Sequence, residues 1–378
     1  MMTLALKVFS ILLLLSSSFF AGCSETSSPP VWDESPGLKD KYKDHFLVGS
    51  MIQDSDITDA SRVVERHCSI VTVNHFYWGV VHPEMDRYDF EPGDRRVRYA
   101  LQRGMKVRGH PLLFGTIDPD WVFMDGEEEV PREVLIQRMK DHIQTIVSRY
   151  RGKIQYWDVV NEPTADIFFN LGDEPSSILD TYKKHKWYTI IGEEYVELAL
   201  RFAHEADPDA RLYVNENNIV GPLGILSLKR RNFFNMIKGL LEKEVPLHGV
   251  GIQGHWSHDY PPADDVVETV ELFSSLGLDV QITELDMSTY SIVRWAFPDL
   301  VPVHPAYTPS VEQKQTERYD AFFGAFRRCS DQLSAVVFWG LSDPTSWLRT
   351  QPDERDDWPL LFDENYEPKK AYEAVIDF

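Results

Sequence analysis

Tyr156-Trp157-Asp158-Val159-Val160-Asn161-Glu162-Pro163 is a short apolar run that ends in an amide, a carboxylate and a proline. The β-branched pair Val159-Val160 suits a strand. Pro163 has no N–H and stops further pairing, so Asn161-Glu162 is delivered at the strand's C-terminal tip. A second run, Val280-Gln281-Ile282-Thr283-Glu284-Leu285-Asp286, has the same form and again exposes a carboxylate at its end.

Outward from these two runs the chain alternates. Apolar segments that read as buried parallel strands are Phe46–Ile52, Ser69–Asn74, Met105–Leu113, Ile154–Asn161, Arg211–Asn215, Gly249–His255, Asp279–Glu284 and Ala335–Leu341. Amphipathic stretches that read as helices are Asp59–His67, Arg95–Arg103, Pro131–Arg149, Gly192–Ala206, Leu228–Glu244, Ala263–Leu276 and Val311–Cys329, with Pro368–Ile376 closing the chain. Strict alternation of this kind predicts an α/β fold, a closed (β/α)8 TIM barrel in a single domain over residues 37–378. An open doubly wound sheet would alternate too, but no G-x-G-x-x-G follows the first strand and no P-loop is present. In such a barrel the reactive side chains gather at the C-terminal ends of the strands, where Glu162 and Glu284 fall, on the fourth and seventh.

The first 36 residues read differently. Lys7 precedes an apolar run from Val8 to Phe20, then Ala21-Gly22-Cys23. The run is short for a membrane span and ends in small residues, the pattern of a signal peptide over residues 1–22. Cys23 directly after Ala-Gly resembles a bacterial lipobox, which implies acylation of Cys23 and an exported lipoprotein on the periplasmic or cell-surface side. An ordinary signal peptide with an incidental Cys is the alternative. Residues 23–36 then form a small, polar, Pro-containing tether, and contact with a membrane would run only through the lipid. The formal charge of −22 argues against nucleic acid, whose phosphates need Lys and Arg, and suits a neutral polysaccharide. Cys68 and Cys329 lie in no metal-like spacing and are expected as buried free thiols rather than a pair. Nothing demands more than a monomer, and no cofactor is implied.

Two carboxylates facing each other across a barrel mouth are what glycosidic cleavage needs. One protonates the departing oxygen and the other attacks or activates water. Either Glu alone could be an exposed strand end, but Asn161 beside one and Asp286 beside the other favour catalysis.

These two segments resemble the active-site signatures of glycoside hydrolase family 10, the endo-β-1,4-xylanases. Arg108-Gly109-His110, Gly251-Ile252-Gln253-Gly254-His255, Phe338-Trp339-Gly340-Leu341-Ser342-Asp343 with Ser346-Trp347, Leu360-Leu361-Phe362-Asp363 and Pro368-Lys369-Lys370-Ala371-Tyr372 follow in the family's order. The resemblance runs from about Phe46 to the C-terminus. It implies retaining double displacement, with Glu284 as nucleophile and Glu162 as acid/base. It further implies that His255, oriented by Asp286, supports Glu284, that Asn161 holds the sugar 2-hydroxyl, and that His110 and Gln253 contact sugar. Trp339 and Trp347 would form an aromatic roof over it.

Three segments leave the family's pattern. After the second strand, Thr72-Val73-Asn74-His75-Phe76-Tyr77-Trp78 keeps a matching Asn74 for sugar binding, but lacks the family's Glu and has Tyr77 where its Lys stands. That removes charge-assisted contacts to sugar hydroxyls. In Arg108-Gly109-His110-Pro111-Leu112-Leu113-Phe114-Gly115, Phe114 keeps an aromatic face for the sugar without an indole N–H, and Gly115 offers no side chain. Tyr213-Val214-Asn215-Glu216-Asn217-Asn218 lacks a tyrosine platform. The expected activity is thus that of an endo-1,4-β-xylanase-like glycosidase, with a decorated or mixed-linkage xylan or another β-glycan as alternative substrates. A non-catalytic glycan-binding lipoprotein is the rival from another class. A metal-dependent hydrolase has only His255 and His258, three apart, and no H-E-x-x-H.

Overall fold

The computed structural model describes residues 36–165, 180–222, 224–301, 303, 306–351 and 353–378. The segments read as a leader and a tether, with Cys23 between them, lie outside the described residues up to Ser35.

Eight parallel strands close a barrel: β1 Leu47–Met51, β2 Ile70–Val73, β3 Lys106–Gly109, β4 Tyr156–Asn161, β5 Arg211–Glu216, β6 Gly249–Ser257, β7 Asp279–Ser288 and β8 Leu333–Phe338. Closure is made by β1, which pairs Leu47 with Ala335 of β8 and Gly49 with Ile70 of β2. A Cβ on Gly49 would stand 1.7 Å from the Ile70 carbonyl oxygen, so only glycine lets the two backbones meet. A flanking helix follows each strand: α1 Ser61–His67, α2 Glu91–Gln102, α3 Arg132–Arg149, α4 Glu194–Ala206, α5 Gly224–Glu242, α6 Ala263–Ser274, α7 Pro309–Arg328 and α8 Lys370–Ile376. This is the (β/α)8 barrel that the alternation predicts.

The helices form for readable reasons. In α3, Leu135, Met139, Ile143, Ile146 and Val147 recur at three- and four-residue steps and are all buried against the barrel. A charge at Ile143 would place an unpaired ion in that layer. Helix α7 starts where the Thr308 hydroxyl accepts from the Val311 N–H, with Pro309 in the first turn.

The outer faces of the strands are apolar, but the barrel interior is not. Arg108, Asp158, Gln281 and Asn215 are all at most 1% exposed. Arg108 donates to both oxygens of Asp158 and to Gln281 Oε1, the last at 2.6 Å, and lies over the Tyr213 ring. Buried ions survive because each hydrogen-bonding edge finds a partner.

Several boundaries differ from the sequence reading. β3 ends at Gly109 rather than Leu113, although Leu112 and Leu113 still donate backbone N–H groups to the Asp158 and Val159 carbonyls at 2.9 and 3.0 Å. β6 and β7 run on to Ser257 and Ser288, and β8 ends at Phe338, just before Gly340 with its φ of 133°. Short helices at Asp54–Thr58 and Lys186–Ile191, and a hairpin of Met124–Asp125 with Glu128–Glu129, were not anticipated. Cys68 and Cys329 are free and buried, as expected, and burial pushes their thiols up to about 12 and about 11.

Candidate active site

Both carboxylates at the barrel mouth sit in backbone that L-residues rarely adopt: φ is 51° at Glu162 and 57° at Glu284. At Glu284 the cause is visible in the register. β7 carries one extra residue against both neighbours, since Thr283 pairs with Gln253 but Asp286 with His255, and Ile282 with Val336 but Leu285 with Phe338. Such a bulge breaks the two-residue alternation and re-aims a side chain. Thr283 and Glu284, adjacent in sequence, both reach the interior amide of Asn215 as a result. At Glu162 the backbone N–H is tied to the Asn215 carbonyl at 2.8 Å, and Pro163 follows. Strain of this kind is held only where the surroundings over-determine it.

Glu284, 4% exposed, is gripped on both oxygens. Asn215 Nδ2 donates to Oε1 at 2.5 Å and His255 Nε2 to Oε2 at 3.1 Å. His255 Nδ1 in turn donates to Asp286 Oδ2 at 3.0 Å, where Trp347 Nε1 also donates at 2.8 Å. Burial alone would lower the pKa of His255, but the negative charges and hydrogen bonds of Asp286 and Glu284 lift it to about 10. At neutral pH the imidazolium therefore faces the carboxylate of Glu284 with a full positive charge.

Glu162 lies across a bridge of amides. Gln253 Nε2 stands 3.1 Å from both Glu162 Oε1 and Asn161 Oδ1, and Asn215 Nδ2 donates to that same Asn161 oxygen at 2.8 Å. With its oxygen held twice, Asn161 keeps Nδ2 turned to the Glu162 side at 3.5 Å. On the other edge, the Lys183 ammonium is 3.6 Å from Glu162 Oε2.

His110, 1% exposed, donates from Nδ1 to Asp158 Oδ2 at 2.8 Å and lies 3.9 Å from Glu284 Oε1. Burial opposes the charge of Asp158, yet the Arg108 guanidinium and the hydrogen bonds from His110 and Arg108 hold its carboxyl below the usual range. The half-buried Trp339 and Trp347 stand over this floor, with ring centres 5.1 Å from His110 and 4.7 Å from His255. Phe114 is half-buried, 6.0 Å from the Tyr77 ring. Asn74 is half-buried just past β2, and its amide makes no hydrogen bond among the described residues. The structure thus brings Glu162, Glu284, Asn161, His110, Gln253, His255, Asp286, Trp339 and Trp347 into one network, with Phe114 beside Tyr77 at its edge and Asn74 outside it.

Residues 37–378 match the family Glycosyl hydrolase family 10. The chain belongs to that family. The β-1,4-xylanase of Dictyoglomus thermophilum is 35% identical over 370 residues, spanning 97% of each chain. The endo-1,4-β-xylanase of Geobacillus stearothermophilus is 35% identical over 345 residues, covering 90% of this chain and 98% of its own. Among solved structures, the xylanase of Paenibacillus barcinonensis in complex with a conduramine derivative superposes with a TM-score of 0.83 at 33% identity, covering 91% of this chain and 98% of that one.

Against this family background, three residues escape sequence reasoning. Asn215 ties the Glu284 carboxylate to the Asn161 amide and to the Glu162 backbone, but in sequence it is one polar residue at a strand end. Lys183 follows a stretch with no readable motif, and its backbone N–H donates to the Pro163 carbonyl at 2.8 Å, which holds it beside the acid. Glu216 is fully buried and receives the Thr164 N–H at 2.9 Å and the Lys229 ammonium at 3.0 Å, anchoring the chain two residues past Glu162. Burial pushes the Glu216 carboxyl up, with Lys229 opposing. Glycine at position 115 also has a reason that the sequence conceals. Its φ is 93°, and a Cβ there would meet the His185 ring at 2.7 Å, so an imidazole from another segment fills the space beside it.

Proposed function

We propose that this chain hydrolyses β-1,4-xylan by retaining double displacement, with Glu284 as nucleophile and Glu162 as acid/base. The observation that carries the reading is the asymmetry of the two carboxylates. Glu284 receives an amide on one oxygen and an imidazolium on the other, whereas Glu162 faces the cleft with two longer amide contacts on one oxygen and a more distant ammonium at the other. In the first step a Glu284 oxygen bonds the anomeric carbon as the bond to the leaving sugar breaks, and that sugar's oxygen takes the proton of Glu162. In the second, water gives its proton to Glu162 and its oxygen to the anomeric carbon, releasing Glu284. Asn161 Nδ2 is the donor placed to hold the sugar 2-hydroxyl. Trp339 and Trp347 offer apolar faces to sugar C–H groups. A xylan carrying substituents is the second reading, favoured by the uncharged segments at Asn74–Tyr77 and Phe114–Gly115.

The test uses the chain from Ser24 onward on soluble β-1,4-xylan, following new reducing ends, with Glu284→Gln alongside. Short xylo-oligosaccharides from the wild type, β-configured when first released, and none from the variant are the expected result. Binding without cleavage by the wild type would mean a glycan-capturing protein instead. Export with acylation of Cys23 is part of the same proposal. Mass spectrometry of the mature N-terminus in a bacterial host tests it, and an unmodified Cys23 would remove the anchor.

A further inference from the structure

Four side chains form a hydrogen-bonded relay: Arg108, Asp158, His110 and Tyr77. Arg108 can only donate, and both oxygens of Asp158 accept from it. His110 Nδ1 donates to Asp158, and its Nε2 lies 3.1 Å from the Tyr77 hydroxyl; with the ring carrying its proton on Nδ1 alone, Nε2 is an acceptor and the phenol donates to it. A phenol has a single proton, and in that tautomer it is committed inward. What Tyr77 turns to the cleft is therefore an oxygen with lone pairs and no proton.

Its position makes that polarity matter. Tyr77 is half-buried just beyond β2, its ring 5.5 Å from that of His110. His110 is in turn 3.9 Å from Glu284 through Nδ1 and 5.1 Å from Trp339 through its ring. Burial, together with the charges of Glu284, Glu162 and Asp158, pushes the phenol well up, so it keeps its proton through the neutral range. The hydroxyl thus stands on the wall where a sugar seated against Glu284 would lie, as an acceptor that no described residue supplies with a second donor.

We infer that Tyr77 is a specificity-determining sugar-binding residue: it accepts a hydrogen bond from one hydroxyl of the sugar held against Glu284, and it disfavours sugars in which that hydroxyl is absent or acylated. The inference rests on the glycosidase reading above. An ammonium at this place would instead donate, and would take an ether or ester oxygen as readily as a hydroxyl. The acceptor requires a donor and so reads whether the hydroxyl is free.

A double-mutant cycle tests it. The parent substrate is an aryl β-xylobioside, compared with analogues in which the 2- or the 3-hydroxyl of the sugar next to the aryl group is replaced by fluorine, which cannot donate. The enzymes are the wild type and Tyr77→Phe, checked for folding by circular dichroism and thermal unfolding. Inductive slowing by fluorine is common to both enzymes and cancels in the cycle. On the parent, Y77F is expected to lower kcat/KM about five- to tenfold, the worth of one neutral hydrogen bond. At one of the two positions fluorination should abolish that difference between the enzymes. Penalties that multiply independently at both positions overturn the assignment, as does a Y77F enzyme equal to or faster than the wild type. Should Y77F not fold, the wild type decides through the 2- and 3-deoxy sugars, and equal losses at both positions overturn the inference. A wild type that does not cleave the parent would overturn the glycosidase reading together with it, which distinguishes the two failures.

Discussion

Asp286→Asn removes one negative charge from beneath His255 while leaving the shape of the site nearly unchanged. Asp286 is 0% exposed; its Oδ2 accepts from His255 and Trp347, and its Oδ1 has no hydrogen-bond partner. An amide can therefore set its oxygen at the first position and its NH2 at the second. In the wild type, His255 is raised from 6.5 to about 10 against the pull of burial, with Asp286 first and Glu284 next among the groups that raise it. That shift corresponds to about 5 kcal/mol in favour of the imidazolium. With Asp286 neutral, only Glu284 opposes burial, and His255 should titrate at or below its ordinary value. The charge-assisted hydrogen bond to Glu284 then becomes a neutral one, a loss of about 1.5–3 kcal/mol and so a fall of about 10- to 100-fold in kcat/KM at pH 7. The assay is a ¹⁵N-histidine NMR titration beside pH-dependent kinetics on an aryl xyloside. His255 should stay protonated to about pH 9 in the wild type and lose its proton several units lower in the variant. Because the folded pKa is raised, the stability gained is complete below about 6.5 and is lost as pH climbs through about 10. The stability gap between the two proteins should therefore narrow over that window. A neutral His255 at pH 7 in the wild type, or unchanged turnover in D286N, would refute the reasoning.

Other consequences are as direct. Asp158→Asn leaves the fully buried Arg108 without its counterion and should destabilise the barrel by about 3–5 kcal/mol, whereas the double change Arg108→Met with Asp158→Leu should recover much of it; urea unfolding of the three proteins checks this, and a double variant no more stable than D158N would sink it. Gly115→Ala puts a Cβ on a backbone of φ 93° and against the His185 ring, for a loss of about 2 kcal/mol or more; an unchanged urea midpoint would show that the loop simply moves. Burial lowers His67 and His185 to about 3, so both are held neutral in the fold while the unfolded chain takes up protons. Stability should fall as pH drops from about 6.5 towards 3, by up to about 1.4 kcal/mol per pH unit for each ring. Replacing His67 by Gln should flatten the slope between pH 6.5 and 5, measured by urea midpoints, and an unaltered slope would assign the acid lability elsewhere.

The barrel was legible because its signal is repeated eight times. Each strand is a short apolar run between helical periods, and an error of a few residues at one end, as at β3 or β7, changes nothing in the closure. The two glutamates were legible because a carboxylate after a β-branched run is rare and their neighbours are distinctive. How they point was not. Strict alternation from Gln281, which faces Arg108 in the interior, would send Thr283 inward and Glu284 out towards the helices. Only the bulge at Thr283–Glu284, with its φ of 57°, turns both inward, and no residue type in that run signals a bulge.

The residues that were missed share a cause. Asn215, Glu216 and Lys183 act by joining elements far apart in the chain: Asn215 lies 69 residues from Glu284 and 54 from Asn161. A single polar side chain at a strand end looks the same whether it faces water or joins a carboxylate on one strand to an amide on another. The same network explains which departures from the family pattern the site can absorb. Asn161, Asn215, Gln253, His255 and Glu284 hold one another across β4, β5, β6 and β7, and β4 and β7 also carry Asp158 and Gln281 of the buried layer, so a change in any of them disturbs the barrel interior as well as the chemistry. Asn74, Tyr77 and Phe114 stand on the segments just beyond β2 and β3, outside that web except for the one bond from Tyr77 to His110. Substrate preference can therefore drift along this side of the cleft while the carboxylate pair remains fixed, and the single bond from Tyr77 is where such drift would still be felt by the catalytic residues.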